Sequence, residues 1–248
     1  MSMKTAVITG AARGIGRAIS EALLADGYQV VGVDVNESVL AETAVSLQNQ
    51  QLPFVPHVAD LTAVEQVAEL FARVGDELGG LDVLVNNAGT CFLTDFVDIS
   101  PEEFRQQMAI NFDSAFYCCQ HAIPLMLARS GIKKIINISS NGAYNFEVFD
   151  PAHYRASKAA LDTVTKHLAR QYATKGIAVN SIAPAMTQTD LFDTVTPDVL
   201  ADAIAGMPRG KPMQPQEIAA WVAFLVSPAG DCSSGNVIVL NQGRDVRS

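Results

Sequence analysis

The chain is poor in the features that would crosslink it, anchor it or draw it to a polyanion. Four cysteines in 248 residues, Cys91, Cys118, Cys119 and Cys232, are too few and too irregularly spaced for a disulfide framework or a zinc site. Four reduced thiols are expected, with adjacent Cys118 and Cys119 pointing to different helix faces. Basic residues are scarce: 17 Lys and Arg against 26 Asp and Glu leave a net charge of -9, with no basic patch to neutralise phosphates, so nucleic acid is not expected as a partner. No apolar run approaches the ~20 residues that span a bilayer, which argues against a membrane partner. The start at Met3-Lys4 leads straight into a short strand without a signal-like apolar region, and a cytoplasmic location is expected. With no low-complexity tail and no long Pro/Gly linker, residues 1–248 read as one domain.

What is present is a regular alternation. Short β-branched or apolar runs at Lys4–Thr9, Val30–Val35, Phe54–Val58, Leu81–Asn86, Ile132–Ser139, Ile177–Ile182 and Val237–Asn241 are separated by stretches with helical spacing, such as Ile15–Leu24. Near-continuous apolar strands alternating with helices predict an α/β fold, a Rossmann-like doubly wound parallel sheet of about seven strands with helices on both faces. Ligands of such sheets gather at the carboxyl ends of the strands. The stretch 187–212 breaks the rhythm, mixing Leu191, Phe192 and Met207 with acids and prolines, and reads as a mobile lid over a substrate.

The first strand runs into Thr9-Gly10-Ala11-Ala12-Arg13-Gly14-Ile15-Gly16, which opens the first helix. Glycines there let backbone approach a pyrophosphate, and the helix terminus attracts it. A flavin, S-adenosylmethionine or simple close packing would suit the same turn. Asp34 closes the second strand 18 residues after Gly16, where a carboxylate accepts hydrogen bonds from ribose hydroxyls and repels a 2'-phosphate. That favours NAD over NADP, although Arg13 is placed to reach a phosphate; a solvated loop acid is the plainer alternative. Asp60-Leu61 ends the third strand and offers a carboxylate and an N–H to an adenine edge, or an N-cap to the next helix. Asn86-Asn87-Ala88-Gly89 ends the fourth with small and amide side chains against which a flat ring or ribose can lie.

Tyr154 and Lys158 stand four apart in a segment with helical spacing, so both project from one face. A phenol loses its proton near pH 10. A cation about 4 Å away at an effective dielectric near 20 favours the phenolate by about 4 kcal/mol, or roughly three pH units. Asp150-Pro151 reads as the helix start, with Asp150 as N-cap, placing Tyr154 near the first turn where the helix dipole assists further. A tyrosine on a helix is ordinarily packing and a lysine ordinarily a solvated charge; the pair gains meaning from Asn111, the Ser139-Ser140 pair and the glycine turn. No histidine is assigned a role.

Taken together, the glycine turn, Asn-Asn-Ala-Gly, Asn111, the serine pair and Tyr-x-x-x-Lys resemble the short-chain dehydrogenase/reductase family in order and spacing along essentially the whole chain. The resemblance implies an NAD-dependent oxidoreductase interconverting a secondary alcohol and its ketone. Tyr154 would be the acid/base, Lys158 the holder of the nicotinamide ribose, Asn111 the support of a water relay, and Ser140 the donor to the substrate oxygen. It implies cofactor contacts from Gly10, Arg13, Gly14, Ile15, Gly16, Asp34, Asp60, Leu61, Asn87, Ala88, Gly89, Ile138, Pro184, Ala185, Thr187 and Thr189. Substrate contacts would come from Ser140, Asn141, Tyr154, Phe146, Leu191 and Phe192. Two departures stand out. Ser140 precedes Tyr154 by 14 residues, one more than usual, which puts Asn141 at the common spacing. Pro184-Ala185 replaces a more usual Pro-Gly. A homotetramer formed through the helices around Asn111–Leu127 and Ala152–Tyr172 is also implied. Competing readings are an NADP-dependent 3-oxoacyl thioester reductase and a catalytically silent nucleotide-sensing protein.

Overall fold

Seven strands form a single parallel sheet in a computed structural model that describes residues 3–145, 150–190, 192 and 195–244. In chain order they are β1 (Thr5–Thr9), β2 (Gln29–Asp34), β3 (Phe54–Val58), β4 (Val83–Asn86), β5 (Lys133–Ile138), β6 (Ile177–Pro184) and β7 (Val237–Leu240). Their spatial order is β3-β2-β1-β4-β5-β6-β7, every pair parallel. The chain therefore winds outward in one direction from β1 and, after crossing to β4, outward in the other. The crevice lies where the winding reverses, at the carboxyl ends of β1 and β4.

The pleat divides the core. In β1, Ala6 and Ile8 face one layer with Val7 on the opposite side, and in β5, Ile136 and Ile138 face that first layer while Ile135 joins Val7. On the first face lie α1 (Gly14–Ala25), with Ile19 and Leu23, and α8 (Pro215–Val226), with Ile218 and Val222. On the second lie α3 (Val64–Leu78), with Leu70 and Phe71, and α5 (Ser114–Leu127), with Ala122 and Met126. α5 packs against both the sheet and α3, and Cys118 and Cys119 are both buried in one cluster. All four cysteines are free thiols.

The expected strands are present, with ends shifted by tertiary contacts. β4 starts at Val83, and Asp82 just before it already joins β1, its N–H donating to the Thr5 carbonyl and its Oδ2 accepting from Thr5 N–H, both at 3.0 Å. β6 runs on to Pro184, which β7 continues to pair through Leu240. Helix starts follow their sequence signals at α2 (Glu37–Gln48), where the Asn36 side chain accepts from Val39 N–H, and at α4 (Pro101–Met108), where Ser100 accepts from Glu103 N–H. Residues Ala109–Asp113 join α4 to α5 through a π-helical turn that contains Asn111. For α6 (Ala152–Tyr172) the expected cap is corrected: Pro151 is the N-cap residue, so Asp150 lies one position outside and Tyr154 is the third residue of the helix. Along 187–212, Thr187 bridges to Met213, and α7 (Pro197–Ala205) packs Ala203 and the following Met207 into the first core layer. No helix among the described residues is long and apolar enough to cross a membrane.

Candidate active site

At the carboxyl end of β1 the glycine turn is a cradle that side chains would fill. Gly10 has φ 64°, in the left-handed region, and a Cβ on Gly16 would lie 2.0 Å from the Gly10 carbonyl oxygen and 2.6 Å from Asn87 Nδ2. Asn87 braces the turn from β4, its Nδ2 donating to the carbonyls of Thr9 and Gly10 at 3.0 and 3.1 Å. Thr9 Oγ1 receives the N–H groups of both Asn87 and Ala88. The start of α1 has no side-chain cap, which leaves its first N–H groups for an anion. Thr189 approaches Gly14 from the opposite wall, and Ile15 packs down onto the core.

Asp34 is fixed at the rim, with Oδ2 accepting from Ala12 N–H and Oδ1 from Asn36 N–H, both at 3.0 Å. Arg13 turns the other way and pairs with Asp190 at 2.8 Å, joining the glycine turn to the segment after β6. Asp60 accepts from the Thr62 N–H and hydroxyl, so its carboxylate serves the local turn, while Leu61 is buried in the second core layer. Pro184 pairs with Leu240 and Ala185 donates its N–H to the Leu240 carbonyl, which places both at the edge of the crevice. Thr187 is buried with its hydroxyl on the Ala185 carbonyl.

Beyond β4 the reacting groups converge. The Tyr154 phenol is hydrogen-bonded to Ser140, which also accepts from Gly142 N–H at 3.0 Å. Of the two candidates at the shifted spacing, the structure brings Ser140 to the phenol. Asn141 is buried and accepts from Asn145 Nδ2 at 2.7 Å. Ser140 caps a 3-10 turn at Asn141–Ala143. Burial holds the Tyr154 pKa above its ordinary value, Asp150 adds to the rise, the Ser140 hydrogen bond opposes it, and Cys91 contributes weakly in the same direction as Asp150.

Lys158 stands four residues after Tyr154 on α6 and is buried. Its Nζ donates to the Ile138 carbonyl at 2.9 Å. Burial pushes this lysine down to about 8, opposed first by Asp162 and then by Cys91. A Cβ on Gly89 would sit 3.2 Å from both Lys158 Nζ and Asn111 Oδ1, so that glycine leaves open a space that the two polar groups border. The Asn111 side chain spans from α5's start to the loop after β4, accepting from Thr90 N–H at 2.8 Å and donating to the Thr90 carbonyl and to Ser157.

Several residues at the site carried no readable signal. Gln107, buried and one helical turn before Asn111, accepts from Phe92 N–H and donates to the Thr90 carbonyl. The Gln107/Asn111 spacing of four is the one clue that the sequence held. Cys91 lies near Lys158, Asp150 and Tyr154, with its thiol pushed up to about 12 by burial and Asp150. Asp162 accepts from Ser139 and Tyr144. Of the expected substrate contacts, Phe192 packs against the first core layer, and Phe146 and Leu191 lie outside the described residues.

A doubly wound sheet with a glycine cradle at its reversal point and a tyrosine, serine and lysine beside it defines a dinucleotide-binding oxidoreductase class. Comparison with known proteins narrows this. A family model described as enoyl-(acyl carrier protein) reductase matches residues 10–245. Diacetyl reductase, (S)-acetoin forming, of Staphylococcus epidermidis is 31% identical over 97% of this chain and 98% of its own. The 3-oxoacyl-(acyl-carrier-protein) reductase FabG of Vibrio cholerae is 33% identical over 97% and 96%. The crystal structure of a dehydrogenase/reductase from Sinorhizobium meliloti superimposes with a TM-score of 0.92 at 31% identity, covering 99% of this chain and 96% of that one. The chain belongs to the short-chain dehydrogenase/reductase family, and so to the oxidoreductases that work with a nicotinamide dinucleotide.

Proposed function

We propose that this protein is an NAD-dependent dehydrogenase that interconverts a secondary alcohol, such as a sugar, polyol or hydrophobic alcohol, with its ketone. The observation that carries the reading is the Tyr154 phenol hydrogen-bonded to Ser140, one helical turn from Lys158, beside a cradle bordered by Gly10, Gly16 and Gly89. The left-handed turn at Gly10 and the uncapped start of α1 suit a dinucleotide, with its nicotinamide end near Lys158 and its adenosine end near Asp34. When bound, the nicotinamide supplies the hydride chemistry. Tyr154 exchanges the proton of the substrate oxygen, Ser140 donates to that oxygen as charge develops, and Lys158 presents a cation to the ribose side of the site. Asn111 and Gln107 hold the Thr90–Phe92 loop in place beside Cys91.

NAD rather than NADP is supported by the immobilised Asp34 carboxylate and by the engagement of Arg13 with Asp190. The competing reading, an NADP-dependent 3-oxoacyl thioester reductase, draws on Arg13 alone, whose ion pair is exposed and so easily surrendered to a phosphate. The segment 187–212 serves as a substrate lid, and the assembly is a homotetramer; a monomeric mass in light scattering would contradict the latter. The test of function is a panel of secondary alcohols with NAD at alkaline pH, followed by NADH absorbance. On the best substrate Tyr154→Phe should lose at least about a hundredfold in kcat while still binding NADH. A variant as fast as the wild type would end the reading.

A further inference from the structure

We propose that Asp162 is a positioning residue of this active site, holding the segment that carries Ser140 against the helix that carries Tyr154 and Lys158. The inference rests on the dehydrogenase reading and adds to it a residue outside the Tyr-x-x-x-Lys pattern.

Asp162 lies one helical turn beyond Lys158 on the same face of α6, and is 2% exposed. Its Oδ2 receives two hydroxyls from the segment after β5: Ser139 Oγ at 2.8 Å and Tyr144 OH at 2.6 Å. These residues flank Ser140, so one carboxylate ties down both ends of the segment that presents the serine. Ser139 Oγ also reaches the Lys158 carbonyl at 3.3 Å, closing the link to the helix backbone. Oδ1 is buried without a hydrogen-bond partner. A carboxylate so placed is costly unless a nearby cation offsets it.

Lys158 is that cation. It is 5% exposed, and the groups around it are the Ile138 carbonyl from β5, the Cys91 thiol from the loop after β4, the Asn111 amide across the Gly89 position, and Asp162 from its own helix, with Tyr154 one turn before it. Asp150, outside the helix start, acts on Tyr154 and Cys91. The thiol, pushed up to about 12, is uncharged at neutrality. Of the two groups that raise Lys158, Asp162 comes first and is the only carboxylate. Without it, burial acts unopposed and the amine loses its proton at lower pH.

The experiment compares Asp162→Asn, which keeps an acceptor oxygen but no charge, with Tyr144→Phe, which removes one hydrogen bond and keeps the charge. Two readouts are taken: kcat/KM against pH on an alcohol the wild type oxidises, and the rate at which Lys158 is acylated in the protein without added dinucleotide, mapped by peptide mass spectrometry. In D162N the limb set by Lys158 should move to lower pH by at least about one unit, and Lys158 acylation at pH 7 should rise several-fold. Tyr144→Phe should lower kcat with both pH dependences unmoved. Should D162N not fold, D162T, uncharged but able to accept from Ser139, takes the same two measurements. An uncharged variant that folds and keeps the wild-type kcat, pH profile and acylation rate would overturn the proposal. If Tyr154→Phe is inactive in the same experiment, that failure belongs to Asp162 alone; if Tyr154→Phe stays active, the dehydrogenase reading fails first and this proposal with it.

Discussion

On the proposed reading Asp34 sets the dinucleotide preference, and Asp34→Asn isolates its charge. The carboxylate cannot swing aside, because Ala12 N–H and Asn36 N–H each hold one oxygen at 3.0 Å. In the variant one oxygen remains for Ala12, while the amide NH₂ meets the Asn36 N–H donor to donor. That conflict costs about 1 kcal/mol, a fall of roughly 2–4 °C in Tm for a chain of this size. Toward NAD, ribose hydroxyls that donated to a carboxylate now donate to a neutral amide, a loss of about 1–1.5 kcal/mol and about tenfold in kcat/KM. Toward NADP, a unit charge about 5 Å from a phosphate charge contributes ~3 kcal/mol of repulsion at an effective dielectric near 20. Partial exposure of Asp34 and salt screening reduce that to ~1–2 kcal/mol, again about tenfold. The NAD/NADP ratio of kcat/KM should therefore fall about a hundredfold, read from initial rates with both cofactors on one alcohol. A change below about threefold, or a wild-type enzyme that already prefers NADP, refutes the reasoning.

Gly16→Ala places a methyl 2.0 Å from the Gly10 carbonyl oxygen, so the turn must open; dinucleotide affinity should drop at least tenfold by calorimetry, with ~1–3 kcal/mol lost in stability. Retained affinity would show that the cradle is not where the pyrophosphate lies. Asp150→Asn removes an anion that disfavours the Tyr154 phenolate, so the Tyr154 pKa moves down and the rising limb of alcohol oxidation moves to lower pH. An unmoved or alkaline-shifted limb contradicts the assignment. Cys232 is exposed, whereas Cys91, Cys118 and Cys119 are buried with thiols pushed up by burial. A disulfide reagent should therefore titrate one thiol rapidly in the native protein and four after unfolding; two or more fast thiols would mean the site loop or α5 is open.

The amino-acid order by itself determined the layered α/β plan, the glycine turn, and the placement of Tyr154 and Lys158 on one face of one helix. Each of those depends on spacings of a few residues: the two-residue pleat, the four-residue turn, and the backbone freedom of Gly10. Tertiary structure alone decided the contacts that join distant segments. Ser140 and Asn141 differ by one position, and only the 3-10 turn after β5 shows which side chain reaches the phenol. Lys158 reads as a partner for Tyr154, yet its Nζ goes to the Ile138 carbonyl, 20 residues away in sequence, because β5 passes beneath α6. Asp162 reads as an ordinary helix acid until Ser139 and Tyr144, 23 and 18 residues earlier, are seen to close on it. Arg13 meets Asp190 across 177 residues. Local spacing fixes which face a side chain shares with its neighbours, whereas burial and charge at that face are set by whichever strand or loop folds against it, and those partners come from elsewhere in the chain.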